Sequence, residues 1–557
     1  MALLIFLTGH SERRGSKMRR IEIYDTTLRD GTQGEDICFS VEDKMMIARQ
    51  LDELGIDYIE GGWPGSNPRD AAFFKRARHL RLYRARLVAF GSTCHPRHCA
   101  DEDPNLRALL EAETPTVTIF GKSWDRHVTT ALNTTLERNL ELIGDSIAHL
   151  KAAGREVIFD AEHFFDGFRA NSEYALATLL AAERAGADVI VLCDTNGGTL
   201  PQHVAEIIDV VRPRLRARLG IHTHNDSDLA VANAIAAVER GVTHVQGTIN
   251  GYGERCGNAN LCSIIPILEL KMGYTTIGPE ALRRLTSVAR FVSELANMPL
   301  RPTQPFVGRS AFAHKAGVHV SAVLKDPSTY EHIPPEAVGN ARRVLVSDLS
   351  GRSNLLYKAA EMGIDLGDGE RLRALLERLK ALEHDGYQFE GAEGSLRLLL
   401  EEAAHGECEF FRLESFRVVS ERTGDGRLRS VATVRLRVGE SVEEVIAQGK
   451  GPVLALDRAL RKALRAFFHC VSDLRLTDYK VRVLNAERGT AAKVRVLIQT
   501  SDGHESWSTV GVSENILEAS YQALVDAIRY KLLKTYGRPP ARTETAPEYE
   551  GQYGWGV

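Results

Sequence analysis

Two histidines separated by one residue, His222-Thr223-His224, close an apolar run of the chain, and Arg29-Asp30 closes another. Residues two apart in an extended strand share a face, so both imidazoles address one point. Asp30 adds a carboxylate. Asn258, at the end of Gly251-Tyr252-Gly253-Glu254-Arg255-Cys256-Gly257-Asn258, adds an amide oxygen. Two imidazoles, a carboxylate and an amide leave coordination positions open for substrate and water. That set suits Mn²⁺, Zn²⁺, Co²⁺ or Mg²⁺ and does not choose among them. A lone His-x-His pair is more often two buried polar residues than a ligand pair; Asp30 and Asn258 at other run ends tip the balance to a metal. Arg29 is suited to stabilise negative charge developing on an oxygen, its structural alternative being an ion pair with Asp30 or Glu162. A second cluster, Cys94-His95-Pro96-Arg97-His98-Cys99, crowds its donors around a proline. They are too close in sequence to wrap one tetrahedral ion and read as a loop.

Something must bring these residues together. Residues 21–270 alternate short apolar runs with amphipathic stretches. The runs are Ile21–Thr26, Tyr58–Trp63, Arg86–Ser92, Thr116–Phe120, Glu156–Ala161, Asp188–Cys193, Arg218–His224 and His244–Ile249. Val41–Leu54 and Ala175–Ala185 between them have helical periodicity and stop near Gly55 and Gly186. Strands alternating with helices imply parallel βα units. Eight units in about 250 residues imply a closed (β/α)8 TIM barrel, whose active sites lie at the C-terminal strand ends. A dinucleotide-binding sheet is the alternative, but the first turn, Leu28-Arg29-Asp30-Gly31-Thr32-Gln33, lacks its glycine fingerprint.

Beyond the barrel the pattern turns helical, with amphipathic stretches at Leu282–Ala296 and Gly369–Leu382 around a Pro- and Gly-punctuated loop region, 299–353. Strand-like alternation follows at Phe410–Val419, Ser430–Val438, Ser441–Ala447, Tyr479–Leu484, Ala491–Gln499 and Glu505–Gly511, with helices Pro452–Phe468 and Asn515–Leu533. Strands then a helix, twice, at a period of about 60 residues, read as a pseudo-symmetric α+β unit. The expected organisation is a disordered extension over 1–20, the barrel over 21–285, helical linker subdomains over 286–404, the C-terminal α+β domain over 405–535 and a disordered tail over 536–557.

Bulk properties narrow the function classes. The 557 residues are 43% hydrophobic and 26% charged, with net charge −4, which offers no basic face for nucleic acid. The absence of an apolar run near 18 residues argues against a membrane span. Met1–Leu7 is apolar, but the basic residues follow it, the wrong order for a secretory signal, and Met18 is a plausible start. Eight cysteines without a CxxC pair fit a reduced, cytoplasmic chain.

At Asp25-Thr26-Thr27-Leu28-Arg29-Asp30-Gly31-Thr32-Gln33, at His222-Thr223-His224-Asn225-Asp226 and at Gly251–Leu261 the sequence resembles the DRE-TIM metallolyases, and within them the α-isopropylmalate/homocitrate synthase family. The resemblance runs from about Ile21 to Leu533. Gly61-Gly62-Trp63-Pro64-Gly65-Ser66-Asn67-Pro68, Phe120-Gly121-Lys122-Ser123-Trp124-Asp125 and the segment His314–Val323 are similar to the bacterial citramalate synthase branch. The resemblance implies a metal-dependent Claisen condensation of acetyl-CoA with a 2-oxo acid, pyruvate in that branch, 2-oxoisovalerate in the isopropylmalate synthases. Asp30, His222, His224 and Asn258 would hold the metal. Arg29 would stabilise the alkoxide, Glu162 matches the family's catalytic carboxylate, Thr195 would bind the oxo-acid carboxylate, and Phe120 would limit pocket size. His319 and Tyr330 would reach the barrel mouth as the proton-transfer pair, from a partner subunit of a homodimer, with Glu254 tuning the base. Where the isopropylmalate synthases usually carry Asp two residues after this His, Ser321 stands here. The C-terminal repeat would sense an end product such as isoleucine. A retro-aldol metallolyase would leave that repeat unexplained, and a non-catalytic amino-acid sensor would not need the intact metal set.

Overall fold

A computed structural model describes residues 19–538 except 347–350, 368, 423, 425 and 485–491. Eight parallel strands close on themselves in chain order: β1 Glu22–Asp25, β2 Tyr58–Gly62, β3 Arg86–Ser92, β4 Thr116–Lys122, β5 Glu156–Glu162, β6 Val189–Asp194, β7 Arg218–Thr223 and β8 His244–Gly247, which pairs back to β1. The TIM barrel is thus present and the dinucleotide-binding sheet is excluded. The first βα unit shows how local chemistry sets the elements. Ser40 Oγ accepts the Asp43 amide at 3.1 Å while Asp43 accepts the Ser40 amide at 2.8 Å, a capping box that starts the helix Val41–Leu54. Gly55, at φ 90°, ends it in a left-handed conformation that other residues resist. Ile47, Leu51 and Leu54 are buried with β1 and β2 residues Ile23 and Ile59 in the layer between barrel and helices.

Inside the barrel the side chains are stacked by strand alternation. At the N-terminal end Arg218 donates to Glu22 and to Glu156, which also accepts from Arg86, Tyr58 and Thr116. This ionic layer fills the floor. Above it Tyr24, Tyr58, Val88, Ile158, Val189 and Val191 form an apolar plug. The mouth lies above that plug. Two boundaries differ from expectation. β8 stops at Gly247, because the Thr248 amide turns to Ala259 O and Ile249–Gly251 winds into a short 3-10 turn. The helix expected from Leu282 begins at Leu285, after a separate turn Pro279–Leu282.

The chain divides into two compact units, one through Phe312 with Glu331–Arg342, the other comprising Ala313–Tyr330 and Arg343 onward. The second unit carries the repeat. Two antiparallel three-stranded sheets are present, β9 Arg412–Arg422, β10 Leu428–Val438 and β11 Ser441–Gly449, then β12 Arg475–Val483, β13 Val494–Ser501 and β14 Ser506–Ser513. Each is followed by a helix, Pro452–Leu464 and Ile516–Tyr536. Leu456, Leu460 and Leu464, a one-sided stripe at helical spacing, are buried with Val434, Leu436, Val496 and Ile498. Residues 1–18, most of the expected tail and the start of the strand expected at Ala491 lie outside the described residues. Arg19 and Ile21 exchange backbone hydrogen bonds with Thr275, and Tyr536 is still helical.

Asp526, on the last helix, is partly buried. Burial pushes its carboxyl up to about 6, against a hydrogen bond from Ser395 Oγ at 2.7 Å and the charge of Arg529. An unfolded aspartate titrates near 3.9. The folded state therefore keeps a proton that the unfolded chain has released. That contribution is complete below about pH 4 and lost as pH rises through 6. Asp526→Asn keeps an acceptor for Ser395 and does not titrate. Thermal unfolding of this unit should show the variant more stable by about 2–3 kcal/mol at pH 8, the gap shrinking toward zero near pH 4.

Candidate active site

The C-terminal ends of the strands enclose a cavity of about 210 Å³ lined by Arg29, Asp30, Phe120, Glu162, Thr195, His222, His224 and Glu254, together with Gln33, Trp63, Phe90, Asp160 and Cys193. Eight of the residues singled out in the sequence thus share one chamber. Asn258 closes it from behind: its backbone forms a bridge with His224, and it is 2% exposed. Glycine is required in that loop. A Cβ on Gly253 would lie 2.1 Å from the Asn258 amide nitrogen, and Gly253 has φ 152°. His319 and Tyr330 lie in the second unit, their rings tilted by 30° with centres 4.2 Å apart and both exposed.

Among the described residues, one group of three His, Cys, Asp or Glu donors comes within ligating range, Asp30 with His222 and His224. His222 Nε2 is 3.3 Å from His224 Nε2, and Asp30 Oδ2 is 3.5 and 3.9 Å from the two nitrogens. Burial lowers both histidine pKa values, that of His224 to about 4 with further repulsion from His222, so both rings are neutral at physiological pH. Burial alone would raise the Asp30 carboxyl. Arg29, His222 and His224 outweigh it and hold it at about 2. Asp30 Oδ1, His224 Nδ1 and Asn258 Oδ1 are buried without a hydrogen-bond partner among the described residues. Acceptor atoms facing one another with orphaned neighbours are costly unless a cation sits among them. The donors fit a divalent metal. The Cys94–Cys99 segment makes no such group: Cys94 is buried with its amide on Ser146 Oγ, and His98 pairs with Asp103.

Arg29 is held more firmly than the sequence implied, by the expected Asp30 and also by Glu60. Its Nε donates to Glu60 Oε1 at 2.5 Å and its Nη1 to Asp30 Oδ2 at 3.1 Å. Glu60, fully buried, also accepts from Tyr24 and Thr26. The guanidinium lies 3.7 Å over the Phe90 ring. Glu162, the other expected partner, pairs instead with Lys122. Thr195 Oγ1 accepts the His163 amide at 2.9 Å, and Glu254 is largely exposed beside Arg255.

Trp63, Phe90 and Phe120 form an aromatic wall with ring centres 5.5–5.8 Å apart. Trp63 is aimed by a bulge. The β2–β3 register slips between Glu60 and Gly62, and Gly62, at φ 146°, leaves room for Asp70, which accepts the Trp63 amide at 2.9 Å. Trp63 Nε1 donates to Asn105 at 2.7 Å. Sequence reasoning missed Glu60 and Asp160 as site residues. The signal was there: both are acids at inward positions among apolar residues of their strands, and Asp160 stands two before Glu162. Burial, compounded by Glu60, pushes the Asp160 carboxyl up to about 8.

Comparison with known proteins places this geometry. Residues 20–292 match the HMGL-like family model, 306–386 the homocitrate synthase post-HMGL domain-like model and 390–532 the LeuA allosteric (dimerisation) domain model. The chain is 56% identical over 520 residues to an (R)-citramalate synthase of Geobacter sulfurreducens, covering 93% of this chain and 98% of the relative. It is 56% identical to that of Aquifex aeolicus, covering 92% and 98%. Identity to a 2-isopropylmalate synthase of Methanocaldococcus jannaschii is 30%, over 92% of this chain and 95% of the relative. A metal-ready cavity on a TIM barrel, followed by the paired-repeat domain, is therefore found in a chain that belongs to the (R)-citramalate synthase branch of the α-isopropylmalate/homocitrate synthase family.

Proposed function

We propose that the chain condenses acetyl-CoA with pyruvate and hydrolyses the resulting thioester to (R)-citramalate and CoA, in isoleucine biosynthesis. The observation that carries this is the small cavity in which the Asp30–His222–His224 group, Arg29 and an aromatic wall meet. Asp30, His222, His224 and Asn258 would hold a divalent cation, which would supply Lewis acidity toward the oxo acid. Thr195 can donate its hydroxyl hydrogen to the substrate carboxylate. Arg29, with Nε and Nη1 already committed, presents its remaining N–H groups to the oxygen that becomes an alkoxide, in a site where fixed donors cost no reorganisation. Removal of a methyl proton from acetyl-CoA needs a base: His319, in contact with the Tyr330 ring and exposed on the helix Gly317–Lys325, serves from a partner subunit, with Glu162 and Glu254 on the cavity side. The new carbon–carbon bond leaves the alkoxide to be protonated, and water then cleaves the thioester, which makes the sequence irreversible. The LeuA-type domain supports a homodimer with an amino-acid effector, isoleucine. Eight unpaired cysteines suit the reducing cytoplasm, and no helix among the described residues is long and apolar enough to cross a membrane.

Thiol release from acetyl-CoA tests the reading. Release should need both pyruvate and a divalent metal, cease on EDTA treatment and return with Mn²⁺; preference for 2-oxoisovalerate would move the chain to the isopropylmalate reaction. Arg29→Lys should lower kcat by about 10²–10³ with a smaller change in KM, since it removes a donor used in the transition state. Phe120→Ala should open the aromatic wall and raise kcat/KM for 2-oxoisovalerate relative to pyruvate by about tenfold or more. Isoleucine should inhibit the full chain where leucine does not, and inhibition by leucine alone would remove isoleucine as the effector.

A further inference from the structure

The two histidines are not equivalent. His224 Nδ1 is buried without a partner among the described residues, whereas His222 Nδ1 lies 2.9 Å from Gln246 Oε1. Gln246 points inward from β8 and is 1% exposed. Its Nε2 donates in turn to Asp160 Oδ1 at 3.1 Å, and Asp160 is 4% exposed. An amide oxygen only accepts, so the hydrogen of neutral His222 must sit on Nδ1. That leaves the Nε2 lone pair facing Asp30 and His224, the form a metal requires. The amide is nearly symmetrical in shape, and turned over it would present N–H₂ to His222. The hydrogen would then move to Nε2 and block the ligand atom. Asp160 Oδ1 is the acceptor that favours the observed orientation, whether or not its other oxygen holds a proton.

We infer that Gln246 and Asp160 are positioning residues for the metal centre: Gln246 fixes the His222 tautomer, and Asp160 fixes the Gln246 amide. The inference rests on the metal reading of the site. Neither residue ligates, and both act through hydrogen bonds whose removal changes affinity rather than the ligand set. Outer hydrogen bonds of this kind are worth about 10–100-fold in metal affinity.

The test titrates metal-free, full-length protein with MnCl₂ by calorimetry, alongside the thermal midpoint of the metal-free form. Gln246→Met, similar in shape but without an acceptor, should weaken Mn²⁺ binding by about 10–100-fold while leaving that midpoint near wild type. Asp160→Leu should weaken it too. Gln246→Glu has no N–H₂ face to present, so adding it to Asp160→Leu should restore most of the lost affinity, and this pair decides the matter should Gln246→Met fold poorly. Wild-type affinity in both Gln246→Met and Asp160→Leu, or no recovery in the double variant, would overturn the relay. A wild-type protein that binds no Mn²⁺ would overturn the metal site itself and the relay with it.

Discussion

A positive charge held inside the barrel organises everything above the apolar plug. Arg29 is pinned between Glu60, which has no solvent contact, and Asp30 at the cavity wall. Burying either charge alone would cost several kcal/mol; together, with Tyr24 and Thr26 completing the Glu60 hydrogen bonds, they are tolerated. The pairing keeps Asp30 ionised, and an ionised Asp30 gives two neutral imidazoles something to converge on. The N–H groups of Arg29 that neither Glu60 nor Asp30 takes up are the ones proposed for a substrate oxygen. Loss of Glu60 would unsettle the ligand group without touching a ligand.

The barrel converts strand register into chemistry. Alternation places Glu60, Asp160, His222 and Gln246 on the inner surface, while the residues between them, Ile59, Phe159, Ile221 and Val245, pack outward against the helices. A slip of one residue in any strand would exchange the two sets. The single irregularity in the β2–β3 register is used: it ends the ladder and turns Trp63 over the cavity.

Much of this was legible in the sequence for a physical reason. Strand ends are marked by a change from apolar to polar residues, so Arg29, Asp30, Glu162, Thr195 and the His222–His224 pair announce themselves. Val41–Leu54 was visible because its cap and its stop are local chemistry. Glu60 and Gln246 were less visible because each sits within an apolar run, where one polar residue looks like noise until the register shows which face it occupies. Asp30 was legible as a partner of Arg29, but Glu60 beside it and Lys122 on Glu162 were not, because ion pairing across a barrel depends on strand neighbours, and β4 lies beside β5 while β2 lies beside β1. The family resemblance supplied what spacing alone does not, the reaction and the roles expected of His319 and Tyr330.

The ionic floor has a kinetic meaning. Arg218, Glu22 and Glu156 stopper the N-terminal end, and Tyr24 and Tyr58 lie above them, so nothing passes through the barrel. The chamber is closed on that side. Of two substrates that react within it, the one seated deepest must enter before the bulkier one arrives and leave after it has gone, so the order of traffic is written into the closed end of the barrel, at the opposite pole from the chemistry.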